Sequence, residues 1–125
     1  KQDYATLRDW METSGQTVPD VPFAAYHHFD MVRNRIKFTS ALPLAAPVSC
    51  ESPLISGTFP FARVEKFTHT GDYRHLGNGW ATALAYTRAK KLKPVKNLYG
   101  LERYLNDPME TQPEHLLTEI LIPLR

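Results

Sequence analysis

The sequence predicts an α+β fold built from a duplicated strand-helix-strand-strand unit, on three observations. Tyr26-His27-His28-Phe29-Asp30 followed by Ala41-Leu42-Pro43-Leu44 is echoed by Glu102-Arg103-Tyr104-Leu105-Asn106 followed by Leu121-Ile122-Pro123-Leu124. Gln2-Asp3-Tyr4 with Leu7 is echoed by Gly71-Asp72-Tyr73 with Leu76. Helical apolar spacing occurs in two places, each followed by a pair of strand-like runs. With 125 residues, 42% of them hydrophobic and 22% charged, the chain has the composition of one globular domain with a real core. Residues 1–125 therefore read as a single domain, with halves at 1–45 and 57–125 and a linker at 46–56.

The elements follow in order. Leu7, Trp10 and Met11 recur at helical spacing from Tyr4 to about Glu12, and Ser14-Gly15 supplies the stop. After a turn between Pro19 and Pro22, Phe23 to Phe29 and Ile36 to Leu44 form two strands of a hairpin through Asp30 to Asn34. Ala45 to Ser56, with two prolines, three serines and no periodicity, connects the halves. Phe59 to His69 is the next strand and ends at the Thr70-Gly71-Asp72 turn. Leu76, Trp80, Leu84 and Thr87 then step by three or four, giving the longest helix, which fades before Pro94. Tyr99 to Leu105 and Leu117 to Leu124 form the last hairpin, across Asn106-Asp107-Pro108 and Thr111 to Pro113. The first half lacks an opening strand, since Lys1 falls where that strand would end. The symmetry predicts a strand before Lys1 or one lent by a partner, because an unpaired strand edge invites association, including a homodimer.

Several function classes are excluded. Fifteen Lys and Arg against 13 Asp and Glu leave a net charge of +2, too mild for a nucleic-acid surface. The local run of Arg88, Lys90, Lys91, Lys93 and Lys96 complements the end of a helix dipole. Cys50 is the only cysteine, so no intrachain disulfide forms and a cytoplasmic location is expected. No apolar run reaches the roughly 18 residues of a membrane span. His27 and His28 alternate between strand faces, and His69 and His75 fit no ligand spacing, so neither a metal nor a cofactor is expected. Gly77-Asn78-Gly79 lies within a helix, without the lysine or strand context of a phosphate loop.

Strand alternation places Glu102 and Tyr104 on one face and Leu101 and Leu105 on the other. In the echoed strand Tyr26 and His28 share a face opposite Ala25, His27 and Phe29. The two hairpins thus present Tyr26, His28, Glu102 and Tyr104 to one space, with Trp80 of the longer helix as a candidate wall. An acid among aromatic rings suits a cation, because ring faces attract positive charge and the carboxylate compensates it.

These segments resemble the GyrI-like small-molecule-binding family, which is named for a DNA gyrase inhibitor. The resemblance rests on Phe67-Thr68-His69-Thr70-Gly71-Asp72-Tyr73, on Leu76 to Trp80, on Leu101 to Pro108 and on Thr118 to Leu124. It is strong over about residues 57–125 and weaker over Lys1 to Leu44. It implies the duplicated SHS2 fold, an antiparallel sheet with two helices behind one face and a ligand groove on the other. It further implies that the acid at Glu102 helps bind lipophilic or aromatic cations, in an effector domain of an AraC-type or MerR-type transcription regulator or in a drug-sequestering protein. DNA would then be contacted by an upstream domain and not by this one. Some relatives resemble hydrolases of cyclopropane-bearing natural products. In that alternative Glu102 is the general base and Tyr26 or Tyr104 the proton donor.

Overall fold

The computed structural model describes residues 2–15, 20–30, 35–44, 54, 63–96 and 98–125. In chain order the elements are α1 (Gln2–Ser14), β1 (Phe23–Asp30), β2 (Arg35–Ala41), β3 (Arg63–Thr70), α2 (Leu76–Ala89), β4 (Gly100–Tyr104) and β5 (Leu117–Leu124). Short 3-10 turns at Tyr73–His75 and Pro113–His115 precede α2 and β5. The five strands form one antiparallel sheet in the order β2-β1-β4-β5-β3. The linker expected at 46–56 lies outside the described residues apart from Leu54, as do residues 59–62 of the expected third strand.

α1 continues two residues beyond Glu12 and ends at the expected Ser14-Gly15 stop, with Gly15 at a φ of 74°. At that end the Ser14 hydroxyl donates back to the Trp10 carbonyl at 2.7 Å. α1 and α2 are therefore nearly equal, at 13 and 14 residues. Before α2, the Asp72 carboxylate accepts from the Arg74 amide at 3.0 Å and starts the turn that carries Tyr73 into the helix. α2 lies close over β5: a Cβ at Gly79 would stand 3.1 Å from Ile120 Cδ1.

β5 is buried along almost its whole length because both faces of the sheet are covered there. Under α2, Trp80, Ala83, Ile120, Ile122 and Leu124 form one core cluster, with Tyr26, Phe67 and Leu84 packed against it. On the other face Ala25, Leu101 and Leu121 form a second, with Phe23 and Leu98. A fully buried side chain such as Ile120 contributes about 1.5–3 kcal/mol.

The halves meet where β1 pairs with β4, and the ladder there obeys the sequence echo. Ala24 faces Glu102 and Tyr26 faces Gly100. Exchanging the two copies, so that Tyr26 takes the place of Glu102 and Ala24 that of Gly100, turns each pair into the other. A pseudo-twofold axis thus passes between β1 and β4. β3 lies outside β5, whereas β2 pairs with β1 alone among the described residues.

Candidate functional site

The ladder places a small residue opposite each large polar one, Ala24 across from Glu102 and Gly100 across from Tyr26. Diagonal neighbours in a ladder lie within reach of an aromatic side chain. The Tyr26 hydroxyl accordingly donates to Glu102 Oε1 at 3.0 Å. Tyr104, two residues along the same strand face, donates to the same oxygen at 2.8 Å. Trp80 reaches down from α2, and its Nε1 donates to Oε2 at 2.5 Å. Glu102 is only 4% exposed, and among the described residues no Lys, Arg or His pairs with it. Three neutral donors hold a buried acid.

Aromatic rings surround it. Tyr26 meets Trp80 edge to face with centroids 5.7 Å apart, and Tyr99 lies at a tilt 5.7 Å from Trp80. Phe38, 52% exposed, stacks at a tilt 5.8 Å from Tyr26. Tyr99 is also at the surface, so Phe38 and Tyr99 form the outer rim and Trp80 with Tyr26 the inner wall. Tyr4 of α1 and Tyr73 before α2 flank the Tyr104 ring at 6.4 and 5.7 Å.

The structure therefore brings Tyr26, Trp80, Glu102 and Tyr104 together. The side chain of His28 lies outside the described residues. Its backbone follows a bulge between Tyr26 and His28 that shifts the register, leaving His28 opposite Lys37. The bulge interrupts the strict alternation on which a face shared with Tyr26 depended. Phe38, Tyr99, Tyr4 and Tyr73 are additions. The Asp3-Tyr4 and Asp72-Tyr73 echo carried the last two in the sequence, as a turn pattern that did not mark the tyrosines as neighbours of the acid.

The acid also points the other way from the expected groove. It faces the helices, because α2 covers the sheet face that carries Glu102, while alternation sends Leu101 and Arg103 to the far side. There Arg103 donates to both oxygens of Asp20 at 2.8 Å and to Glu119, which Lys66 also approaches at 3.5 Å. The Val21 amide and Arg103 hold the Asp20 carboxyl below its usual range. A hollow of about 150 Å³ opens beside it, lined by Asp20, Val21, Phe23, Pro43, Leu101 and Arg103. Among the described residues that line it the one cation, Arg103, is already shared between two carboxylates. Among the described residues no cluster of His, Cys, Asp and Glu could hold a metal ion.

Burial, then the charge of Glu102, pushes the Tyr26 and Tyr104 hydroxyls well above their ordinary 10.0. In the folded protein they keep protons that the unfolded chain releases. Their stabilising contribution is complete below about pH 10 and declines as the pH rises beyond it, by about 1.4 kcal/mol per pH unit for each group. Tyr104→Phe is expected to flatten the alkaline loss of stability between about pH 10 and 12, measured by urea unfolding at constant ionic strength. Equal slopes for the variant and wild type would contradict a protonated, buried Tyr104.

The profile of the GyrI-like small molecule binding domain matches residues 1–125. The chain belongs to this GyrI-like family. No curated protein matches it by sequence. Among solved structures, the GyrI-like chain superposes on the crystal structure of the EcmrR C-terminal domain with a TM-score of 0.77 at 17% identity, covering 100% of this chain and 84% of that one. It also superposes on EcmrR in the cryo-EM structure of an EcmrR–DNA complex, with a TM-score of 0.75 at 16% identity and 98% of this chain covered. It spans 50% of that longer chain. At such identities the likeness establishes the fold. No helix among the described residues of this GyrI-like domain is long and apolar enough to cross a membrane.

Proposed function

We propose that this GyrI-like domain binds a lipophilic, cationic aromatic molecule, with Glu102 as its countercharge and Trp80, Tyr26, Phe38 and Tyr99 as its aromatic wall. One observation carries this reading: Glu102 is 4% exposed and, among the described residues, is held only by neutral donors. Burying a carboxylate costs several kcal/mol, and hydrogen bonds from two phenols and an indole offset part of that. A cation entering the site supplies the missing charge, and the ring faces add about 0.5–2 kcal/mol of attraction. The donors also describe how the ligand-free domain tolerates its acid: the aromatic side chains close over it and must swing aside for a guest.

The domain then acts as the effector-sensing part of a transcription regulator of the AraC or MerR type, and DNA is contacted by another part of that regulator. Support comes from EcmrR, whose chain in the DNA complex is about twice as long as the segment matched here. The hydrolase alternative uses the same atoms, but both oxygens of Glu102 already accept hydrogen bonds, so a general base there would first have to shed a donor.

The test compares phenyltrimethylammonium with its neutral isostere tert-butylbenzene on wild type and Glu102→Gln, by thermal shift and calorimetry. The cation at 100 times its dissociation constant is expected to add about 2.7 kcal/mol to wild-type stability. Glu102→Gln should weaken it by about tenfold to a hundredfold, the range of a charge-assisted contact, and leave the isostere unchanged. Equal binding of cation and isostere, or an indifferent Glu102→Gln, would sink the reading. Recovery of an altered ligand, lost in Glu102→Gln, would move the assignment to the hydrolase.

A further inference from the structure

Two hydroxyls next to the acid are buried without a hydrogen-bond partner among the described residues, Tyr73 OH and Thr118 Oγ1. Thr118 is fully buried and lies directly opposite Tyr104 in the β4–β5 ladder, hence on the sheet face that carries Glu102. The Tyr73 ring lies 5.7 Å from the ring of Tyr104. Both residues therefore adjoin Tyr104, one of the two tyrosines that donate to the carboxylate.

The pseudo-symmetry makes the pair more telling. Tyr4 and Tyr73 occupy echoed positions, and both rings neighbour that of Tyr104. The Tyr4 hydroxyl donates to the Phe23 carbonyl at 2.6 Å. Its counterpart donates to nothing described. A buried hydroxyl without a partner costs free energy that only a hydrogen-bonding group recovers. One such group is a local defect, but two on residues that both neighbour Tyr104 mark a place built to be completed. Burial, then the charges of Asp107 and Glu102, raises the Tyr73 hydroxyl above its ordinary range, so it enters any contact as a protonated donor. Thr118 can donate or accept.

We propose that Tyr73 and Thr118 form a second polar station of the binding site, which hydrogen-bonds a hydroxyl or carbonyl group carried by the ligand away from its cationic centre. This rests on the reading of Glu102 as the countercharge and narrows the ligand class to aromatic cations bearing such a polar substituent. Sites that hydrogen-bond a ligand hydroxyl discriminate against the analogue lacking it, because their own polar groups are otherwise left unpaired.

Two matched pairs of probes test the station separately from the charge: phenyltrimethylammonium against meta-hydroxyphenyltrimethylammonium, and tert-butylbenzene against meta-tert-butylphenol. Wild type should prefer the hydroxylated member by about threefold to tenfold, the span of one neutral hydrogen bond. Tyr73→Phe or Thr118→Val should reduce that preference to within about twofold, while affinity for the unsubstituted member stays nearly constant. Neither variant removes a hydrogen bond to a described residue, so both should melt at or above the wild-type temperature, which a structural role for the hydroxyls would not allow. The proposal is overturned by the absence of any hydroxyl preference in both pairs, by a preference that survives both substitutions, or by a clear fall in melting temperature in both variants. If only the charge reading is wrong, cation and isostere bind alike and the neutral pair still reports the hydroxyl preference.

Discussion

Trp80→Ala is expected to lower the stability of the domain by about 3–5 kcal/mol, the cost of emptying a buried aromatic site. Trp80 is 8% exposed and belongs to the core cluster between α2 and the sheet. It also contacts Tyr26 and Tyr99 and supplies the donor to Glu102 Oε2. Truncation removes packing and strips that carboxylate oxygen of its partner. The measurement is urea unfolding, where an m-value of about 1–3 kcal/mol per molar converts the loss into a midpoint shift of a molar or more.

Trp80→Phe separates the two roles. It keeps a ring in the core and deletes only the indole N–H, so it should retain a deficit of about 1–3 kcal/mol, the penalty for a buried acceptor left short of a donor. In a Glu102→Gln background that deficit should shrink, because the oxygen no longer carries charge. A coupling of about 0.5–3 kcal/mol between the two substitutions is the expected reading. Additivity within a few tenths of a kcal/mol would mean that the contact contributes little and that Trp80 is purely core.

The parts of this fold that the sequence shows best are those decided locally. The step of three or four through Leu76, Trp80, Leu84 and Thr87 specifies α2, and the apolar run from Leu117 to Leu124 specifies β5. Alternation within β4 separates Glu102 and Tyr104 from Leu101, and the echo ties Tyr26 to Glu102. What was not legible depends on partners distant in the chain. Alternation says which residues share a face, but not which face the helices will cover. Leu101 and Glu102 are adjacent and both buried, which erases the polar and apolar contrast a half-exposed strand would show. The bulge after Tyr26 is a register decision made between β1 and β2, and nothing in Tyr26-His27-His28 alone announces it. The pairing of Arg103 with Glu119 is a cross-strand contact fixed by the β4–β5 register.

Gly100→Ala is expected to damage the site from beneath, although it adds one methyl group. A Cβ at Gly100 would stand 2.6 Å from Trp80 Cη2 and 2.8 Å from the Leu121 carbonyl oxygen. The carbonyl is fixed within a central strand, so the indole must move, and its hydrogen bond to Glu102 goes with it. Overpacking of this kind costs about 1–3 kcal/mol. Affinity for phenyltrimethylammonium should also change by more than twofold, since the wall and the donor are the same side chain. Ala24→Gly, the echoed substitution, is the control. It should cost only about 0.5–1 kcal/mol of backbone freedom and leave the affinity alone. In a Trp10→Phe background, the fluorescence of Trp80 reports its displacement in Gly100→Ala and its constancy in Ala24→Gly. Wild-type melting and unchanged emission for Gly100→Ala would refute the close contact. The contrast between the two echoed positions has a physical reason in the helices above them. Met11 follows Tyr4 by the interval at which Trp80 follows Tyr73. α1 thus carries a flexible thioether at the echoed position, whereas in α2 a rigid indole reaching for the acid leaves room only for glycine at position 100.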